Sequence, residues 1–317
     1  MSVSTNIQTI NFNKPVQQNA QKTFRSQTVP ARDYPPDAVE INGKKKSGMS
    51  NGAKLGIGLG ILTVGTFIAA IALNKINKVT PTKLQQVFND VYMREDITVE
   101  QAKNIANKFK EIEKIENRED FIKAAFEETK KNFGFADKPI KLTFAQAKGS
   151  EYGWCLKDNS AINITENCPR RSIISCLHHE FRHAKQNELM FNEFPEYARE
   201  RLAYALYNHG VGKVDMEVMK YVDSLIDKNI LDDNEIQKRI LQKFGYKIND
   251  LIKTNFGDLS PNNVPNKYKD FAKKCLENNK NLIKNTEDKE RYRKQFIEAD
   301  AFSIEEKIFN TLLYYKP

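Results

Sequence analysis

Two histidines four residues apart, His179 and His183, sit in the segment CLHHEFRHAKQ with Glu180 directly after the first. On a helix, residues i and i+4 project from one face about one turn apart, the placement two imidazoles need to share a tetrahedral ion. Borderline-soft zinc suits such nitrogen donors. A carboxylate beside the first histidine reaches a metal-bound water without itself ligating, the position of a general base in metal-assisted hydrolysis. The reading as HExxH is His179–Glu180–Phe181–Arg182–His183. Competing with it is a plain one, a polar helix face whose histidines do no chemistry.

Other residues near the motif carry weaker signals. His178 is off the face of His183 and reads as a neighbour rather than a ligand, and Cys176 reads as a small residue under the site. His209, followed by Gly-Val-Gly, and Tyr197 or Tyr204 are candidate oxyanion donors among which the sequence does not choose. The four cysteines, Cys155, Cys168, Cys176 and Cys275, lack CxxC spacing. They read as unpaired thiols, with a Cys155–Cys168 bridge open if the domain lies outside the cytoplasm.

The motif needs a helix with a second, apolar face. Ile173, Leu177, Phe181 and Ala184 form that stripe, expected to bury against a preceding sheet while the histidines face a cleft. Sheet signals stand just upstream. Ile140, Leu142 and Phe144 alternate; Tyr152, Trp154 and Leu156 follow; then come Ala161, Ile162 and Ile164 after the turn-like Lys157–Ser160. These predict a small antiparallel sheet. Before it, Thr80 around Pro81, Thr98 with Gln101, and Asn117 mark helix starts, and Gly134 marks a stop. After Pro169 the pattern is almost wholly helical.

This layout resembles the zincin superfamily of metallopeptidases: a strand-rich stretch, then a helix bearing HEFRH, then further helices. The motif covers about fifteen residues and the wider layout roughly residues 138 to 309. The resemblance implies an α+β fold, mostly helical, with an edge strand along the cleft to align an extended substrate. It implies Zn2+ as cofactor, His179 and His183 as ligands, and Glu180 as the catalytic base of a peptide-bond hydrolase. The metzincin extension is absent, since neither glycine nor histidine occupies the positions it requires after His183. A downstream glutamate is then implied as third ligand, as in gluzincins. Glu298 in FIEADAFSIEEK is the first choice, since Glu-Ala-Asp-Ala resembles the third-ligand helix of several such families; it lies 115 positions after His183, so a helical insertion must fill the gap. Glu200, 17 positions after His183, is the alternative with short-linker spacing. Asp300, two residues from Glu298, faces away from it on a helix and is a candidate for orienting a ligand histidine or for a salt bridge.

Of the formal charge of +9, residues 1–78 hold +7, so the basicity belongs to the N-terminal tail and the flanks of one apolar run rather than to the folded part. That distribution speaks for solubility, topology or lipid headgroups rather than nucleic-acid binding. The run itself, Leu55 to Leu73, is 19 uncharged residues between Lys54 and Lys75, the span of a membrane helix. Preceded by about fifty polar residues, it reads as a retained anchor rather than a cleaved leader. Slightly more lysines on its N-terminal side point to a cytoplasmic N-terminus and an extracytoplasmic C-terminal domain.

The expected organisation is a disordered tail over 1–52, a transmembrane helix over 53–75, a helical region over 80–135, and a zincin-like domain over 136–317 with a helical insertion at about 210–285. The expected partners are a peptide or protein substrate and the membrane lipid around residues 55–73. A second function class stands beside the enzyme: a membrane-tethered binding or scaffold protein on an inactive zincin-like fold.

Overall fold

The computed structural model describes residues 79–146, 152–206, 215–230, 232–280 and 289–316. The expected membrane segment and tail lie outside them. Among the described residues no helix is long and apolar enough to cross a membrane.

Three helices open the described part of the chain: α1 (Pro81–Tyr92), α2 (Val99–Ile112) and α3 (Arg118–Asn132). Each begins where a side-chain oxygen takes up an otherwise orphaned N–H. Thr80 accepts from Lys83, Thr98 and Gln101 form a reciprocal capping box, and Asn117 accepts from Asp120. The chain leaves α3 through Gly134, whose φ of 82° is open to glycine without strain.

Strands β1 (Lys141–Ala145), β2 (Gly153–Cys155) and β3 (Ala161–Thr165) follow. The sheet is mixed, in the order β1-β3-β2, with β1 parallel to β3 and β2 antiparallel to it. This corrects the expected antiparallel sheet. Period-two alternation reports which side chains share a face, but it is silent on which strand pairs with which. The Lys157–Ser160 turn does join β2 to β3 as a hairpin; β1 then takes the other edge of β3, and its chain has to cross over to reach β2.

A 3-10 turn at Arg170–Ser172 leads into the long helix α4 (Ile173–Glu193). The helix therefore begins beyond Pro169, and Ser172 at its start makes no side-chain cap. Six more α-helices complete the described chain: α5 (Pro195–Ala205), α6 (Met216–Ile226), α7 (Asp233–Asn255), α8 (Asn266–Lys280), α9 (Lys289–Lys294) and α10 (Phe296–Tyr314). The gap between His183 and Glu298 is thus largely filled by helix.

Two large apolar cores organise these elements, with a small third cluster of Met93, Leu189, Val264 and Ala272 beside them. The first joins α1, α2 and α3 to β3, to the N-terminal half of α4 through Ile173, Leu177, Phe181 and Ala184, and to the C-terminal half of α10 through Ile304, Ile308 and Leu312. The helical region over 80–135 accordingly shares one core with the sheet and the motif helix. The second gathers Met190 and Phe191 of α4, Leu202, Val218, Ile240, Phe244, Cys275 and, from α10, Ile297. Phe181 stacks on Phe133 and Phe135 and tilts against Phe126, so the apolar stripe of α4 packs on α3 and its exit as well as on the sheet. Helices α4 and α10 run antiparallel from one core to the other, and their polar faces meet at the waist between the two.

Candidate metal centre

At that waist α4 offers His179 and His183, and α10 offers Glu298 in its first turn. One ligand atom from each lies within 4.8 Å of the others. The two Nε2 atoms are 3.0 Å apart; Glu298 places one oxygen 3.7 Å from Nε2 of His179 and the other 3.5 Å from Nε2 of His183. Tetrahedral coordination with bonds of about 2.0–2.1 Å puts neighbouring donors about 3.3 Å apart; the two imidazole nitrogens stand near that edge, and each Glu298 oxygen approaches it toward one histidine only.

The donors fit a cation on chemical grounds too. Glu298 is buried, and its Oε2 is without a hydrogen-bond partner among the described atoms. Burial opposes ionisation of this carboxyl; the electrostatic pull of the two imidazoles beside it, His183 foremost, outweighs burial and holds the group well below the ordinary glutamate range. A buried anion facing two imidazoles is an arrangement that a divalent ion satisfies without further partners.

Each histidine faces a side-chain oxygen at its other nitrogen, through a hydrogen bond at His183 and through an ion-pair contact at His179. Nδ1 of His183 lies 2.9 Å from Oε1 of Gln186, one turn on along α4. Nδ1 of His179 lies 3.1 Å from Oε2 of Glu305, seven residues beyond Glu298 on α10. Phe302 packs edge-on against the His179 ring at 4.7 Å between centroids. Neither Gln186 nor Glu305 was singled out from the sequence. Gln186 was visible in principle, at i+3 from a ligand; Glu305 sits among neighbouring acids, Glu306 included, and nothing local distinguishes it.

Glu180 is buried beside the first ligand. Its charge, together with that of Asp158, adds to burial in pushing the Cys155 thiol upward, which places the carboxylate within electrostatic reach of that strand. Strand β2 is held to α4 by the hairpin turn: Asn159 donates to the Ala184 carbonyl at 2.8 Å and accepts from Asn187 at 3.0 Å. Gly153 allows the close approach. A Cβ there would come within 2.8 Å of the Asn163 carbonyl oxygen and 3.2 Å of Sγ of Cys176. Along the hairpin, Leu156 donates to Ala161 and Thr165 to Tyr152, so by alternation the backbone groups of Gly153 and Cys155 turn away from β3.

Asp300 does not touch a ligand histidine. Its carboxylate takes two hydrogen bonds from Arg182, at 2.6 and 2.9 Å, and one from Gln186 at 2.8 Å. Arg182, also buried, reaches on to the Val91 carbonyl at the end of α1 at 3.2 Å and lies over Phe271. The two residues inside the motif therefore have separate structural tasks, Phe181 in the core and Arg182 as the anchor of α10.

Glu200, the alternative third ligand, is exposed on α5 and is not in the three-donor group. The α10 glutamate is the one brought to the histidines. His178 points into the first core, between Tyr92, Phe109 and Phe133. Its Nδ1 is 2.7 Å from the Ile174 carbonyl and its Nε2 3.0 Å from the Tyr92 hydroxyl. Cys176 is buried under β2, and all four cysteines are free thiols, so the open Cys155–Cys168 bridge is not formed. Tyr197 packs against Phe191 in the second core region. His209 and the side chain of Tyr204 lie outside the described residues. Compared with protein-family models, with curated proteins and with solved structures, the chain matches none, so any kinship has to rest on this site.

Proposed function

We propose that the chain is a zinc-dependent peptidase of the zincin type, gluzincin-like, tethered to a membrane by the helix over residues 53–75 with its catalytic part outside the cytoplasm. The observation that carries the reading is the convergence of Glu298 on His179 and His183 from 115 residues away. Three protein ligands of nitrogen and oxygen type, leaving a fourth position open, make a catalytic rather than a structural zinc set.

Bound there, zinc supplies a water of near-neutral pKa and a Lewis acid for the scissile carbonyl. The chain's own residues do the rest. Glu180, beside the first ligand but outside the donor group, takes the attacking water's proton and delivers it to the leaving amine. Strand β2, antiparallel at the sheet edge with Gly153 and Cys155 turned outward, offers backbone groups to an extended peptide, the mode in which a substrate adds a strand. Phe302 on the His179 ring limits solvent on the α10 side.

The test separates base from ligand. Glu180→Gln in the full-length chain is expected to keep one zinc per molecule, read by metal analysis, while hydrolysis of an unfolded protein substrate falls by several orders of magnitude. Retained proteolysis in that variant overturns the assignment. Less than stoichiometric zinc in the wild type, unchanged in His183→Ala, would favour the scaffold reading instead.

A further inference from the structure

We propose that Gln186 is a positioning residue for the metal centre: it locks His183 in the tautomer that carries its proton on Nδ1, leaving the Nε2 lone pair aimed at the ion. The inference rests on the zinc-site reading above and assigns a task to a residue outside the ligand set.

The argument is one of donors and acceptors. Gln186 is almost wholly buried. Its amide nitrogen lies 3.0 Å from the Ile297 carbonyl and 2.8 Å from Oδ2 of Asp300. A carbonyl oxygen only accepts, and the Asp300 carboxylate already accepts from both Nε and Nη2 of Arg182, a side chain that only donates. Both amide N–H groups are therefore committed toward α10. Turning the amide over would set its oxygen against two acceptors, a buried arrangement with nothing to offset it. The oxygen must face His183, and at 2.9 Å from Nδ1 it can only accept, so the proton sits on Nδ1. In a neutral imidazole that leaves Nε2 as the lone-pair nitrogen.

The relay Arg182–Asp300–Gln186–His183 thus converts the anchoring of α10 into the orientation of a ligand ring. It also ties the choice of tautomer to correct docking of the helix that brings Glu298, because the Ile297 carbonyl is the residue before it. Ring orientation and basicity set by such outer partners commonly govern metal affinity by 10–100-fold.

The experiment uses the full-length chain, wild type, Gln186→Leu and Gln186→Glu. Zinc affinity is measured by competition with a chromophoric chelator, thermal midpoints are measured without metal, and long-range 1H–15N spectra of the metal-free wild type report the histidine tautomers. Gln186→Leu removes the acceptor and is expected to weaken zinc by 10–100-fold. Gln186→Glu keeps an oxygen for Nδ1–H but sets a second carboxyl against Asp300; its thermal midpoint should drop, while its zinc affinity stays closer to wild type than that of Gln186→Leu. A purely structural role would instead make affinity follow stability across both variants, and that result overturns the proposal. So does a Gln186→Leu chain that binds zinc as tightly as wild type. If Gln186→Leu does not fold, the spectra decide: an Nε2-protonated His183 in the wild type refutes the lock, and the Nδ1 form upholds it. A wild type without stoichiometric zinc removes the metal reading and this inference together, whereas a zinc-binding wild type with indifferent variants removes only this one.

Discussion

His178 and His179 are adjacent in the chain yet have opposite fates, because one helix position turns the ring by about 100°. His179 faces the donor group; His178 is sealed among aromatic rings, where burial lowers its pKa to about 4, partly opposed by its bond to the Ile174 carbonyl. With the folded value below the unfolded one of about 6.5, the unfolded chain takes up a proton that the folded chain refuses as pH falls between them. Stability from this residue is therefore complete above about pH 6.5 and declines toward pH 4, by about 3 kcal/mol over the whole window. Urea unfolding of metal-free chain across that range checks it: a His178→Gln variant should lose this part of the slope, and an unchanged slope would refute the assignment. At this scale the sequence was most informative where geometry is local. His179, Glu180 and His183 are readable because an i, i+4 spacing forces a shared face, and the same rule set His178 aside. Glu298 and Glu200 were separable only by long-range docking, which no spacing encodes, and the partners of Asp300 came from a helix more than a hundred residues away.

Among the elements, α4 is bilingual: Phe181 and Leu177 belong to the core, His179 and His183 to the cleft, and a 3.6-residue period divides them. That amphipathicity was legible, as were the capped starts of α1, α2 and α3. Strand direction was not, since Leu142 and Phe144 alternate identically whether β1 runs with β3 or against it. Strand β2 depends on a residue with no side chain at all. Gly153→Ala forces a methyl within 2.8 Å of a backbone oxygen, which cannot swing away as a side-chain tip would. The expected cost is about 1–3 kcal/mol, the range for overpacking a close interface. Denaturant unfolding measures it, and a neutral substitution would mean that β2 sits farther from the Asn163 carbonyl of β3 and from Cys176 of α4 than described.

On the scale of the whole molecule, the donor group joins helices that begin in different cores. An ion held by His179, His183 and Glu298 pins the waist where α4 and α10 cross from one core to the other, and only the folded chain presents all three. Zinc at a thousand times its dissociation constant should then add about 4 kcal/mol to stability. For a chain of this size that is a rise of about 8–16 °C in thermal midpoint. Scans with zinc and with chelator test it; Glu298→Gln should respond far less, and coincident wild-type midpoints would count against a site spanning both helices. The edge of the sheet has an optical consequence. Trp154, the sole tryptophan of the chain, sits half-buried in β2 between the outward-turned Gly153 and Cys155. Indole emission therefore reports on one strand, and its colour becomes a label-free gauge of what docks along that rim.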